Sequence, residues 1–183
     1  MAERFADMFV DLDQDRRTDV SGQADEVSTL SGFLRWQRET LELKCDGLDA
    51  EQLARRSVPL SSLSLLGLVR HLADVERGWF RRGLAGEDVP PLFYGKDDPD
   101  GEFDGAVADA AVVAQAWQAW RDEIAYADRF VAAAPDLLSS SVEDAGRGPL
   151  SLRWVLVHLI EEYARHNGHA DLLRQLIDGR VGQ

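Results

Sequence analysis

The sequence predicts an all-α protein: a four-helix bundle preceded by an N-terminal arm. Apolar residues recur every three or four positions along four long stretches, and no strand pattern competes with them. Breaks rich in Gly, Pro and Asp separate those stretches. Apolar residues make up 45% of the 183 residues, enough for one real core.

Residues 1–26 are polar and mostly acidic, so an extended or partly ordered arm is expected there, with the bundle occupying residues 27–183. The first helix is expected over residues 28–45, where Leu30, Phe33, Leu34, Gln37 and Leu41 repeat at helical spacing. Gly47 stops it, and "DGLDAEQL" makes a turn and a short second start. The second helix is expected over residues 62–84, its apolar face made by Leu65, Leu68, Val69, Leu72, Val75 and Trp79 and its start capped by serine.

The stretch "AGEDVPPLFYGKDDPDGEFD" reads as a long loop, since paired prolines and several glycines oppose a helix. Loops of this length in a compact domain are often functional. Phe93 and Tyr94 either line a pocket or pin the loop to the body, and pinning is the expectation. The third helix is expected over residues 106–134, with Trp117, Trp120, Ile124, Ala127 and Val131 at steps of three and four. "PDLLSSSVEDAGRGP" breaks it, and the fourth helix follows over residues 151–178, ending at Gly179. Four helices of this length suggest a bundle.

The formal net charge is −13 and the pI is about 4.6. Such a chain repels phosphate, which argues against nucleic-acid partners and against anionic membrane surfaces. A single cysteine, Cys45, precludes an internal disulfide. The first residues carry no basic stretch followed by an apolar one, and no apolar run is long enough to span a bilayer. A soluble cytoplasmic protein is expected, and a homodimer is compatible with exposed bundle faces.

The chemistry concentrates near the C-terminus. Of four histidines, His158, His166 and His169 fall within twelve residues. On a helical wheel with His158 at zero, His169 lies near ~20°, Glu162 near ~40° and His166 near ~80°, among Val155, Leu159 and Leu173, with Leu176 near ~0°. Glu162 and His166 thus point where the leucines point. A carboxylate there needs a partner or must take up a proton. A metal ion satisfies both side chains, and the one-turn spacing brings them to one side. The remaining histidine, His71, lies at the edge of the second helix's apolar stripe. Metal sites in bundle cores are built from facing helices. His71, Glu162 and His166 make a His₂Glu set, which suits zinc with an open coordination position; nickel, iron or manganese also accept these donors.

Plainer readings stand beside this one. His71 by itself fits a hydrogen-bonded core histidine, and a Glu-x-x-x-His pair is common on helix surfaces. His158 is placed to hydrogen-bond Glu162 from outside a ligand set, or simply to fill space. His169 is a candidate fourth ligand or proton shuttle. Glu76 falls among apolar positions, either as a general base beside the metal or, as expected here, as the partner of an arginine on a neighbouring helix. Cys45, at a helix end, reads as a small packing residue rather than a nucleophile.

The stretches "SLLGLVRHLADVERGWF" and "WVLVHLIEEYARHNGHADLLRQ" together resemble the DinB-like superfamily of DinB/YfiT-type metalloenzymes, in a branch frequent in actinobacteria. "FLRWQRETLELKCDGLDAEQL" resembles that branch's first helix, so the resemblance covers residues 28–178. It implies a four-helix bundle holding a divalent metal by one ligand from the second helix and two, one turn apart, from the last. Many members use three histidines; the mycothiol-dependent maleylpyruvate isomerase branch replaces one with glutamate. The matching positions here are His71, Glu162 and His166, and His169 falls outside the pattern. The resemblance further implies a thiol-dependent enzyme using mycothiol, bacillithiol or glutathione. The isomerases carry a further C-terminal domain, so the expectation is a thiol transferase that adds a low-molecular-weight thiol to a small electrophile. A metal-dependent hydrolase, a non-catalytic metal- or ligand-binding bundle and a metal-free dimer are the alternatives.

Overall fold

A computed structural model describes residues 9–11, 13–138, 140–144 and 148–182, with residues 140–144 described by backbone alone. The first eight residues of the expected arm lie outside the described residues.

Helix α1 spans Glu26–Cys45, with Asp25 as N-cap accepting from the Ser28 amide. Its far end is closed by the last helix: Arg174 Nη1 donates to the carbonyls of Lys44 and Asp46, each at 2.8 Å. Carbonyls at a helix end have no partner of their own, so this contact caps α1 and fixes its docking. The second start becomes α2, Ala50–Ala54, held by a capping box between Asp49 and Gln52.

The second long helix starts at the first residue of its apolar face, three residues after the expected start at 62, and changes character halfway. α3 spans Leu65–Arg77 behind the buried N-cap Ser64, whose Oγ accepts from Gly67 N at 3.1 Å. From Gly78 to Leu84 the chain continues as a π-helical segment. Its wider turn is seen in the Ala85 amide donating five residues back to Phe80.

The long loop carries one helical turn, α4, Gly101–Asp104, and is bound to α3 throughout. Asp74 accepts from the amides of Leu92 and Phe93 at 2.7 and 2.8 Å. Arg70 donates to the Glu102 and Gly101 carbonyls and lies over the Phe93 ring at 4.1 Å. Tyr94 accepts from Arg82. Phe93 and Tyr94 therefore pin the loop. Gly101 is required at its position, because a Cβ there would stand 2.4 Å from the Phe93 carbonyl oxygen.

α5 spans Ala110–Ala133 behind its N-cap Asp109. The segment read from sequence only as a break contains two strands, β1 Ser140–Asp144 and β2 Gly148–Ser151, paired antiparallel. α6 spans Leu152–Asp178, from the Ser151 cap to Gly179 in the left-handed region at φ 80°.

α6 packs on α1 and α3, and α3 packs on α5; β1 runs beside the π segment. One buried polar chain ties the four long helices together. Arg38 of α1 donates twice to Glu76 of α3, each bond at 2.8 Å. Tyr163 of α6 donates to the same carboxylate, and Trp120 of α5 donates to the Tyr163 hydroxyl, both at 2.9 Å. Around it lies an aliphatic core from Leu34, Leu41, Leu68, Leu72, Leu156 and Leu159.

Not every residue on an expected apolar face is covered: Phe33 is 48% exposed and Leu176 is 56% exposed. Leu176 lies in the last turn of the 27-residue α6, which outlasts the α3 helix facing it. The described part of the arm lies on α1. Arg17 stacks over Trp36 at 4.4 Å, and Thr18 binds Glu39 through its amide and hydroxyl. No helix of the described residues is long and apolar enough to cross a membrane.

Candidate metal centre

α3 and α6 cross so that His71 faces the turn holding Glu162 and His166. His71 Nε2 lies 3.3 Å from Glu162 Oε1, and His166 Nε2 lies 3.1 Å from the same oxygen. The two imidazole rings are 4.7 Å apart between centroids. One ligand atom from each residue lies within 4.8 Å of the other two. The three side chains singled out by spacing thus converge, across a separation no local pattern bridges.

The surroundings orient them. Glu102, on α4, lies 2.7 Å from His71 Nδ1, and Phe103 stacks on the same ring at 5.6 Å. A carboxylate at Nδ1 keeps a proton on that nitrogen, so that Nε2, which faces Glu162, is the atom that would give up its proton to ligate a cation. Glu102 was not among the residues the sequence marked. It sits in a loop with no periodic signal, 31 residues from its partner. The length of the loop was the only hint.

Charge is balanced within the cluster. Burial opposes the charged form of His71, but the Glu102 bond and charge, then those of Glu162, outweigh it and raise its pKa. Burial raises Glu162, yet the bond from His71 and the charge and bond of His166 bring it below the ordinary carboxylate value. His166 is pushed down to about 4, first by burial and then by the charge on His71. A neutral imidazole, an ionised carboxylate and a tautomer-fixed imidazole form a donor set that fits a divalent cation.

The other candidates are placed differently. His169 Nδ1 lies 3.3 Å from His166 Nδ1, at the rim of the cluster. His158 stacks on Trp154 and meets Trp79 edge-on, and makes no hydrogen bond to Glu162. Glu76 is fully buried in its ion pair with Arg38. Cys45 is buried at the end of α1, its thiol pushed up to about 12 by burial.

The bundle and its converging His-Glu-His cluster define a DinB-like protein. More narrowly, the chain belongs to the mycothiol-S-transferase family, whose model matches residues 29–179. The crystal structure of a conserved protein from Enterococcus faecalis is similar in fold, with a TM-score of 0.60 at 17% identity, covering 85% of this chain and 99% of that one. No curated protein matches the sequence.

Proposed function

We propose that this protein transfers mycothiol to a small electrophile at a divalent-metal centre held by His71, Glu162 and His166. The convergence of these three donors from two helices carries the reading. Membership of the mycothiol-S-transferase family supplies the thiol. Zinc is the preferred ion because two imidazoles and a carboxylate leave an open position in its coordination; nickel, iron and manganese accept the same donors.

When bound, the cation supplies stabilisation of the thiolate form of the thiol at neutral pH. The rest is the work of the chain. Glu102 holds the His71 ring by its Nδ1 proton and aims Nε2 inward. Glu162 offsets positive charge in a half-buried setting. His169, beside His166, is the group placed to receive the thiol proton and pass it to solvent. Glu76, locked to Arg38 and Tyr163, serves the bundle rather than the reaction.

Elemental mass spectrometry on untagged protein tests this, alongside the His71→Ala and Glu162→Ala variants and an assay of mycothiol consumption. About one divalent ion per chain, lost in both variants together with thiol consumption, is expected. A parent that takes up neither zinc nor nickel overturns the reading.

A further inference from the structure

The α3–α6 seam continues past the metal cluster. On α6, His158 and Trp154 stand one and two turns before Glu162, about 6 and 12 Å along the axis. On the other side, Trp79 follows His71 and Val75 down the same seam, inside the π-helical segment. The three rings meet there. Trp154 and His158 stack at 5.0 Å with planes 15° apart. Trp79 closes on both, at 5.4 Å from Trp154 and 4.9 Å from His158, steeply inclined to each. All three are only half-buried, so part of this shelf faces outward. Phe103 and Glu102 close the seam at the opposite end of the cluster.

Polar atoms of two of these rings are unused. Among the described residues, no hydrogen-bond partner reaches Trp79 Nε1 or either ring nitrogen of His158. An indole N–H only donates, so Trp79 calls for an acceptor. Stacked aromatic faces call for a flat π-system, the geometry that aromatic pairs prefer. The net charge of −13 disfavours an anionic ligand. A flat, uncharged π-system with an acceptor on its edge, able to react with a thiol, is a conjugated carbonyl.

We infer that Trp79, Trp154 and His158 form the acceptor subsite of this protein, and that the acceptor is a planar, uncharged conjugated carbonyl compound of the quinone or enone class. The inference rests on the thiol-transfer reading for the reaction and on the shelf for the ligand. The acceptor stacks on the rings, with its carbonyl oxygen at Trp79 Nε1–H. The thiolate sulfur adds to the β carbon. A C–S bond forms as the carbon–carbon π bond breaks, and its electron pair moves through the α carbon onto the carbonyl oxygen. The proton given up by the thiol returns at the α carbon. Nothing leaves, and no oxidant or reductant is consumed. The Trp79 N–H meets the oxygen on which negative charge develops.

Equilibrium dialysis with 2,3-dimethyl-1,4-naphthoquinone, whose alkene carbons are blocked, separates binding from reaction. The zinc-loaded parent is expected to bind it saturably. Trp154→Leu is expected to weaken binding about tenfold, and Trp154→Phe to keep most of it. Trp79→Phe keeps a ring and loses the donor, and is expected to weaken binding about threefold to tenfold. Saturable binding absent from the parent, or equal in the parent and Trp154→Leu, overturns the subsite. Mycothiol consumption with unsubstituted 1,4-naphthoquinone is followed in parallel. Binding at the shelf without thiol consumption sustains the subsite and sinks the transferase reading. Mycothiol consumption with other electrophiles but no shelf binding does the reverse.

Discussion

Glu102 Oε1 lies 2.7 Å from His71 Nδ1, on the side of the ring away from Glu162. The contact joins the long loop to the His-Glu-His cluster, since Glu102 is itself held by Arg70 through its backbone carbonyl. The loop therefore fixes the orientation of the His71 ring. Outer partners of this kind are worth 10- to 100-fold in metal affinity, roughly. Glu102→Ala is expected to weaken zinc binding by about that range, and Glu102→Gln by less, because an amide oxygen still accepts from Nδ1–H. Competition against a chromogenic chelator measures both. Equal affinity in all three proteins would show that the loop carboxylate does not support the ring.

The Arg38–Glu76 pair makes a separate prediction about stability. Both side chains are buried, Tyr163 donates to the same carboxylate, and Trp120 donates to the Tyr163 hydroxyl. Removing one partner of a buried pair leaves an uncompensated charge and costs about 3–5 kcal/mol. Arg38→Met is expected to lose about that much in urea denaturation while zinc stoichiometry stays at the parent's value. A loss of zinc with intact stability would instead tie Glu76 to the metal centre.

Much of this was legible in the sequence, and the reasons differ by residue. Ser151 and Gly179 mark the ends of α6 because capping is local chemistry. Glu162 and His166 were legible because a one-turn spacing on an apolar face needs an explanation. His71 followed from helices facing each other in a bundle. The π segment was not legible, since widening a turn changes no residue type. The β1–β2 ribbon was hidden because Ser140–Asp144 is short and polar. Glu102 and the meeting of Trp79 with His158 arise from tertiary packing between segments far apart in sequence.

Cys45 supplies a pH prediction. Its ordinary value of 9.0 is raised to about 12, first by burial. The raised value means that the folded state holds the proton longer than the unfolded chain. Its contribution to stability is full below pH 9.0 and is lost as pH rises towards about 12. With the thiol buried and protonated, native protein at pH 8 is expected to react with Ellman's reagent at a small fraction of the rate seen in 6 M guanidinium. Rapid reaction of the folded protein would contradict the packing role and make Cys45 a candidate nucleophile.

Metal removal gives the most direct physical test of the centre. A ligand that binds only the folded state stabilises it by an amount set by its concentration relative to Kd, about 2.7 kcal/mol at a hundredfold excess. For a domain of this size each kcal/mol moves Tm by about 2–4 °C, so zinc at that excess is expected to raise Tm by about 5–11 °C. Chelation should return it to the metal-free value. Glu162→Ala removes the carboxylate that both imidazoles face, so zinc should no longer shift its Tm. The same zinc-dependent rise in Glu162→Ala would place the ion elsewhere on the acidic surface and remove the three-residue centre from consideration.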